Sequence, residues 1–545
     1  MLRTIKVAAV SLGLALGAAG CGNFLTGDKL TNDPNNPSQA TALQLFVGVQ
    51  SNMFSAQENT VAMTVCMWMQ QCMGVGGRFV DQFAHYTVNE FSWDGNWFQV
   101  YTGGGLVDLR KIEATERTAG DSVFLGIAKI WEAFDIGVAA DLWGDVPYTD
   151  AVASNPTPGL DSQASVYAAV QTLLSEAITE LGSGKGPGPL GADLVYGCDT
   201  TLARRSLWIA AAHTLKARFL LHTIESNPGT KATIYGSAIT EANAGISSTA
   251  RDLLAFHSAA TSERNIWYQF QTTTFGQDVV AGKALVDIMK ARNDPRLPAY
   301  FAKNTTVGWQ AKHRYSVGSR MLDPNNNVEQ VTAHAATDST SGSSQPVWPT
   351  TIGATTADSN VTWTNVGLPY GGEDANVPQP GNTVSGLSGS LRMCPTPSSC
   401  GAFRQPLVTY QENELILAEA YSTAANPSGN DGTALTHLNN ARAVPGLSAL
   451  AGITGVALLD SIMTEKYVAL FQNIETINDY RRTCIPAVTP VSNGQGFSHV
   501  PGRLYYPQAE RNTNTNIPDP SAQLARHGFR NKGDVHACQG SDALP

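Results

Sequence analysis

Apolar residues recur at steps of three and four through much of this chain, and that spacing predicts amphipathic helices. Phe124, Ile127, Trp131, Phe134, Val138 and Leu142 form one stripe, which Gly144 and Pro147 bring to an end. Val166, Val170, Leu173, Ala177 and Leu181 form a second behind an acidic start at Asp161, and Trp208, Ala212, Leu215 and Phe219 a third. Residues 410–421, 433–443 and 459–477 repeat the pattern near the C-terminal end. Helices of this length joined by short Gly/Pro loops predict hairpins stacked as in tetratricopeptide arrays, although the strict repeat consensus is missing.

Residues 303–405 break the pattern. They are rich in Ser, Thr, Gly, Asn and Pro, carry no helical stripe, and contain short alternating pieces such as VTWTNV that predict strands. A stretch this long inside a compact body is usually functional. Its isolated aromatics, Trp309, Trp348, Trp363 and Tyr370, are expected on loops. The fold class that follows is mainly α: helical hairpins in one superhelical body, with a loop-rich variable region at 303–405 and minor β.

The first 21 residues, MLRTIKVAAVSLGLALGAAGC, show a third pattern. Arg3 and Lys6 precede an apolar run at 7–20, and Ala18, Ala19 and Gly20 form a small-residue cleavage site before Cys21, as in a bacterial lipoprotein leader. The run is shorter than the roughly 20 residues a spanning helix needs. Cleavage would make residues 1–20 a signal peptide and Cys21 a lipid-anchor residue, whose acyl chains hold a protein on a membrane without a spanning helix. Residues 21–40 are polar and turn-rich, with Asp33-Pro34 and Asn36-Pro37 opposing helix, and are expected to form a flexible tether to a folded body at 41–545. The longest later apolar stretch, 123–143, is interrupted by Lys129, Glu132 and Asp135.

Charged residues make up 15% of the chain, below the roughly 25% of an average soluble protein, so neutral polar groups carry much of the surface. With 35 basic and 45 acidic residues and no Lys/Arg run, the chain lacks the footprint of a nucleic-acid or anionic-lipid binder. An uncharged ligand fits better. Eight cysteines less a lipidated Cys21 leave an odd number, which cannot all pair within the chain. Cys394 and Cys400 flank a short PTPSS loop that a disulfide can close, a pairing the spacing leaves open, whereas Cys66 and Cys72 point to different faces if their helix is continuous. No CxxC pair supports zinc.

The common catalytic signatures, HExxH, GxSxG and a phosphate loop, are absent, and no catalytic residue is assigned. Loop aromatics are the better lead, because a sugar ring stacks its C–H faces on Trp or Tyr and engages planar polar side chains through its hydroxyls. Residues 78–96 mix both kinds and nominate Arg78, Trp93 and Asn96, while Trp97 and Tyr101 read as helix core. Arg264, Trp267 and Tyr268 form a second cluster, and Trp309 and Trp363 are candidates in the variable region. Asp323 in DPNNN and Asp431 in GNDG offer oxygens to calcium but read more simply as turns, so no cofactor is expected.

Several segments, in order, resemble the SusD/RagB family of outer-membrane nutrient-binding lipoproteins. They are the leader with Cys21 and NDPNNP, then ADLWGDVPYTDA at 140–151, LKARFLLH at 215–222, NDPRLPAYF at 293–301, ELILAEAY at 414–421 and LNNARA at 438–443. EKYVALFQNIETINDYRRT at 465–483 and GRLYYPQAERN at 502–512 complete the series. Ile477 stands where the family often has Trp, and the 303–405 region carries almost none of the likeness. The motif residues are mainly structural: Gly144 and Pro147 shape a turn, and Asp479, Arg481 and Arg482 form ion pairs and caps. The resemblance implies a helical body with four tetratricopeptide-like hairpins and variable ligand loops. It also implies a SusC-like TonB-dependent transporter as partner, over which the protein acts as a lid, facing the cell exterior. Oligosaccharides are the ligands it implies first, with peptides or another nutrient as the alternative. A secreted glycoside hydrolase and a purely structural scaffold are the remaining readings.

Overall fold

The computed structural model describes residues 40–197, 201–388, 392–491 and 500–524, together with Cys538. The leader, Cys21 and the tether through residue 39 lie outside the described residues, as does Cys198.

The helices begin and end on side chains suited to the task. α1 (Ala42–Glu58) opens on a capping box between Thr41 and Gln44, and Asn59 caps α2 (Thr60–Trp68). β1 (Cys72–Gly74), α3 (Asp94–Tyr101) and α4 (Leu106–Ala119) follow. α5 (Ser122–Trp143) is capped by Asp121 and buried along nearly its whole length, and α6 (Gln163–Ser183) is capped by Ser162. A Cβ added at Gly126 of α5 would meet the Ala177 carbonyl of α6 at 3.0 Å, so glycine is what lets the two axes approach. Two of the charges that interrupt the 123–143 stretch are buried and partnered: Lys129 Nζ donates to Glu176 at 2.8 Å, and Glu132 accepts from the Tyr148 hydroxyl at 2.8 Å. The third, Asp135, is buried too, and burial pushes its carboxyl well above the usual range. Among the described residues no helix is long and apolar enough to cross a membrane.

α7 (Thr201–Leu221) packs on α6 and on α8 (Lys231–Asn243). β2 (Leu253–Leu254), α9 (Ile266–Gln271), β3 (Val279–Ala281) and α10 (Lys283–Ala291) lead into the variable region, where β4 (Arg320–Leu322), β5 (Val328–His334), β6 (Thr355–Asp358) and β7 (Val361–Asn365) form one antiparallel sheet in the order β4-β5-β7-β6. β8 (Pro406–Val408) returns the chain to the body by pairing with β2. α11 (Tyr410–Tyr421), α12 (Asp431–Ala443), α13 (Gly455–Ala469) and α14 (Glu475–Thr483) complete the helical series, with α11 against both α8 and α12. The architecture is mainly helical with small sheets, as the periodicity predicts, and VTWTNV forms β7.

Three expectations are corrected. Residues 459–477 are not one helix: α13 ends near Ala469, Gln472 takes a left-handed φ of 64°, and α14 restarts at Glu475. That break lets Phe471 stack on Tyr300 at 4.4 Å between ring centroids. Cys66 and Cys72 do form a disulfide, because α2 stops at Trp68 and Gln70, with φ 54°, reverses the chain. Trp348, Trp363 and Tyr370 are buried rather than displayed on loops. Strand alternation turns Val361 and Trp363 inward, where they meet Tyr315, Met321, Val331 and Trp348 as a separate small core. Disulfides also join Cys394 to Cys400 and Cys484 to Cys538.

The motif residues after α13 act as ion pairs in the interior. Asp479 accepts from Lys466 Nζ at 2.8 Å and from Arg482 at 2.7 Å, and Arg482 also pairs with Glu419 on α11. Arg481 donates to the carbonyl of Asp141 at 2.8 Å. Arg218 on α7 grips Glu412 at 2.6 Å, tying two halves of the helical body nearly two hundred residues apart.

Candidate functional site

β1 and β3 pair antiparallel with Gly74 opposite Val279, and between them and the 373–387 segment lies a cleft of about 730 Å³. One wall is Met73, Val75 and Val80, where a π-helical turn at Phe79–Ala84 follows β1. Gly74 permits this turn: a Cβ there would sit 2.1 Å from the Phe79 carbonyl oxygen. The opposite wall holds Pro378, Val384 and Leu387, anchored to the body by an isolated bridge between Val280 and Gly386.

Polar groups enter this apolar frame at few points. Gln271, at the end of α9, has an amide whose nitrogen and oxygen both lack a hydrogen-bond partner among the described residues. Gln277, His85 and Gln379 add further planar donors and acceptors. Glu373 accepts from the backbone N–H of Gln379 at 3.0 Å, and burial pushes its carboxyl above the usual range. Asp374 is held by the backbone N–H of Asn376 at 2.9 Å. Phe275, 61% exposed, immediately precedes the lining pair Gly276–Gln277 in the chain. Apolar walls with a few convergent amide and carboxyl groups suit a neutral, hydroxyl-rich or amide-bearing ligand.

The structure divides the residues nominated from sequence. Arg78 is exposed at the start of the π-helical turn, with its guanidinium 5.2 Å from the Phe79 ring, beside lining residues Val75 and Val80. Arg264 and Tyr268 are half-buried partners at 5.8 Å, and Tyr268 lies one turn before Gln271. Trp93 is fully buried at the start of α3, not on an open loop: it packs on Trp68 and on Phe83 and so supports the π-helical turn from behind. Trp267 is fully buried in α9. Asn96 donates to Asn59 Oδ1 at 2.9 Å and serves the junction of α1 and α2. Trp309 and Trp363 both donate their indole N–H to Asp358, at 2.8 and 3.0 Å, within the small sheet core. The cleft residues Gln271, Gln277, Glu373 and Gln379 were not nominated. Gln271 and Gln277 fall in an amide-rich run, YQFQTTTFGQD, a pattern that by itself does not separate a site from ordinary surface, and Glu373 and Gln379 lie outside it.

One group has the arrangement of a metal site. Ligand atoms of Asp141, His222 and Glu475 lie within 4.8 Å of one another. His222 Nδ1 stands 2.8 Å from Asp141 and Nε2 2.8 Å from Glu475, and the two carboxylates overcome the burial penalty and raise the imidazole to about 9. Both ring nitrogens then carry protons, and the imidazolium fills the role of the cation.

The sequence matches, over residues 34–507, the SusD-like family described as starch-binding and associating with the outer membrane. No curated protein matches it. Among solved structures, a chitin-binding protein is 20% identical, with 91% of this chain and 100% of that one covered and a TM-score of 0.64. A chitin-binding SusD homolog from Flavobacterium johnsoniae is 16% identical, with 90% and 99% covered and a TM-score of 0.64. A SusD/RagB family protein from Bacteroides thetaiotaomicron is 16% identical, with 91% and 98% covered and a TM-score of 0.60.

Proposed function

The chain belongs to the SusD-like family, and from that premise we propose that it is an outer-membrane, lipid-anchored protein that binds an oligosaccharide in the cleft between β1 and the 373–387 segment. The cleft carries this reading: it offers Gln271, Gln277, Gln379 and Glu373 to hydroxyls or acetamido groups against apolar walls, with the exposed Phe275, next to Gly276 in the chain, for a ring face. Arg78, next to the lining residues Val75 and Val80 in the chain, and Tyr268, one turn before Gln271 and partnered by Arg264, serve as further contacts. Trp93, Trp267 and Trp363 act by packing. Residues 41–545 form one nutrient-binding domain with 303–405 as its variable part. Cys21 carries the lipid, and the tether lets the body move as a lid over a SusC-like TonB-dependent barrel at the cell exterior. Binding and delivery break no bond.

A second reading, a peptide ligand, draws on one observation: no Trp or Tyr lines the cleft among the described residues, whereas its amides and carboxylates match a peptide backbone. Calorimetric titration with chito-oligosaccharides, malto-oligosaccharides and a neutral peptide mixture separates the two. The expected result is saturable binding of one sugar series, little changed between low and high salt because neutral ligands release no counterions, and weakened by about tenfold or more in Gln271→Ala. Saturable binding of peptides alone selects the second reading. Binding that survives Gln271→Ala and Glu373→Gln unchanged moves the site elsewhere.

A further inference from the structure

Away from the cleft, the sheet of the variable region contains an acid without a partner. Glu329 on β5 is fully buried, and neither of its carboxylate oxygens has a hydrogen-bond partner among the described residues. Strand register sets Glu329 opposite Met321 on β4 and Asn365 on β7, and all three are 0% exposed, so they share the inner face. Asp323 lies two residues beyond Met321, on the same face by alternation, and is also buried. Burial, with the Asp323 charge as a lesser cause, lifts the Glu329 carboxyl to about 7. Among the described residues no lysine, arginine or histidine pairs with either acid, and the nearby Lys303 is engaged with Asn326 Oδ1 at 2.6 Å.

Two neighbouring carboxylates out of water, with no cation between them, are an arrangement proteins avoid unless something positive completes it. The surroundings are rich in oxygen. The Asp323–Asn327 turn folds so that Asp323 Oδ1 accepts from the backbone N–H of Asn327 at 2.7 Å and Oδ2 from the Asn325 amide at 3.3 Å. Asn326 takes a left-handed φ of 63° to close it. The donors at hand are carboxylate, amide and carbonyl oxygens, which select a hard cation over zinc or copper. Adjustable spacing between a turn and two strands favours the larger, more permissive Ca²⁺ over Mg²⁺.

We propose that Asp323 and Glu329 bind one Ca²⁺ ion at the inner end of the β4–β5 hairpin, with neighbouring amide and carbonyl oxygens of the turn and β7 completing its shell. Two carboxylates balance the charge of the ion. The ion ties the hairpin to β7 and holds the variable region in one conformation. Asp323 remains a turn residue, as its sequence context suggests; Glu329 is the residue that turns the bend into a site.

The test uses the mature full chain after chelation. Tb³⁺ added alone should show luminescence sensitised by tryptophan, since Trp363 is two residues from Asn365, and added Ca²⁺ should displace it. Ca²⁺ should also slow proteolysis within 303–405. Both effects should be lost in Glu329→Gln and in Asp323→Asn, each of which keeps the side chain's shape. The proposal is overturned if the unaltered protein shows no Ca²⁺-dependent protection, or if the Ca²⁺-displaceable Tb³⁺ signal persists in both variants. A Glu329 that merely holds a proton gives the first of those results, with Glu329→Gln as stable as the parent. If one variant fails to fold, the other and the protection of the parent chain still decide.

Discussion

The helical body adds a set of buried charge pairs to its apolar core, whereas the 303–405 region holds its interior chiefly through a small apolar core. In the body, buried charges meet in pairs, several of them across distant segments: Arg218 with Glu412, Arg482 with Glu419 and its near neighbour Asp479, Lys466 with Asp479, and His222 between Asp141 and Glu475. In the variable region, Tyr315, Met321, Val331, Trp348, Val361 and Trp363 interlock by shape, and Asp358 fastens two indoles. Charge pairs demand particular partners, whereas an apolar core demands volume and alternation. The body is therefore intolerant of single changes at its pairs, and the variable region can exchange its sequence while keeping its sheet.

The largest effect expected is from Arg482→Met. It leaves Glu419 and Asp479 buried without their guanidinium, a change that costs about 3–5 kcal/mol where a buried pair loses one member. Chemical denaturation followed by far-UV circular dichroism measures it, and a loss below about 1 kcal/mol would mean that the pairs are not what specifies the body.

Trp363→Phe should be milder, about 1–3 kcal/mol from lost volume and a lost bond to Asp358. Its effect should stay local: proteolysis within 303–405 accelerates while the helical transition of the body holds its place. A shift of both together would show that the two regions unfold as one unit.

His222 distinguishes the regions by pH. Its folded value is raised from 6.5 to about 9, so the folded state binds the proton more tightly than the unfolded chain. The stabilisation is fully present below pH 6.5 and is lost as pH rises through about 9. Unfolding midpoints of the body should fall across that window, and His222→Gln should flatten the decline. An unaltered slope in the variant would assign the titration to another group.

The smallest effect expected is from Lys283→Met, which breaks the exposed pair with Asp287 on α10. Solvent screening limits it to about 0.5 kcal/mol or less, the difference between an ion pair in water and the same chemistry inside the body.

Much of the fold can be read in the chain because helices announce themselves locally. The stripe from Phe124 to Leu142 depends only on spacing, and α5 follows it. Where a distant contact overrides spacing, reading fails. Gln472 breaks the 459–477 stripe so that Phe471 can stack on Tyr300, and Gln70 reverses the chain so that Cys66 reaches Cys72. The cleft was less legible still. An aromatic beside Asp-Gly gives no indication that its ring will be covered, and Trp93 is covered by Trp68 and Phe83. Gln271 and Glu373 are more than one hundred residues apart and gain meaning only when β3 and the bridge at Val280 bring them to one cavity.

By itself, then, the sequence determined the helical class, the break in character at 303–405, the absence of common catalytic motifs and, through motifs in order, the family. These rest on local periodicity and short-range chemistry, which a chain carries before it folds. Tertiary structure alone decided which aromatics are buried, which charges are neutralised, and where a ligand-sized cavity opens. Those outcomes depend on what stands across the interior from each side chain, and a linear pattern does not encode its own opposite wall.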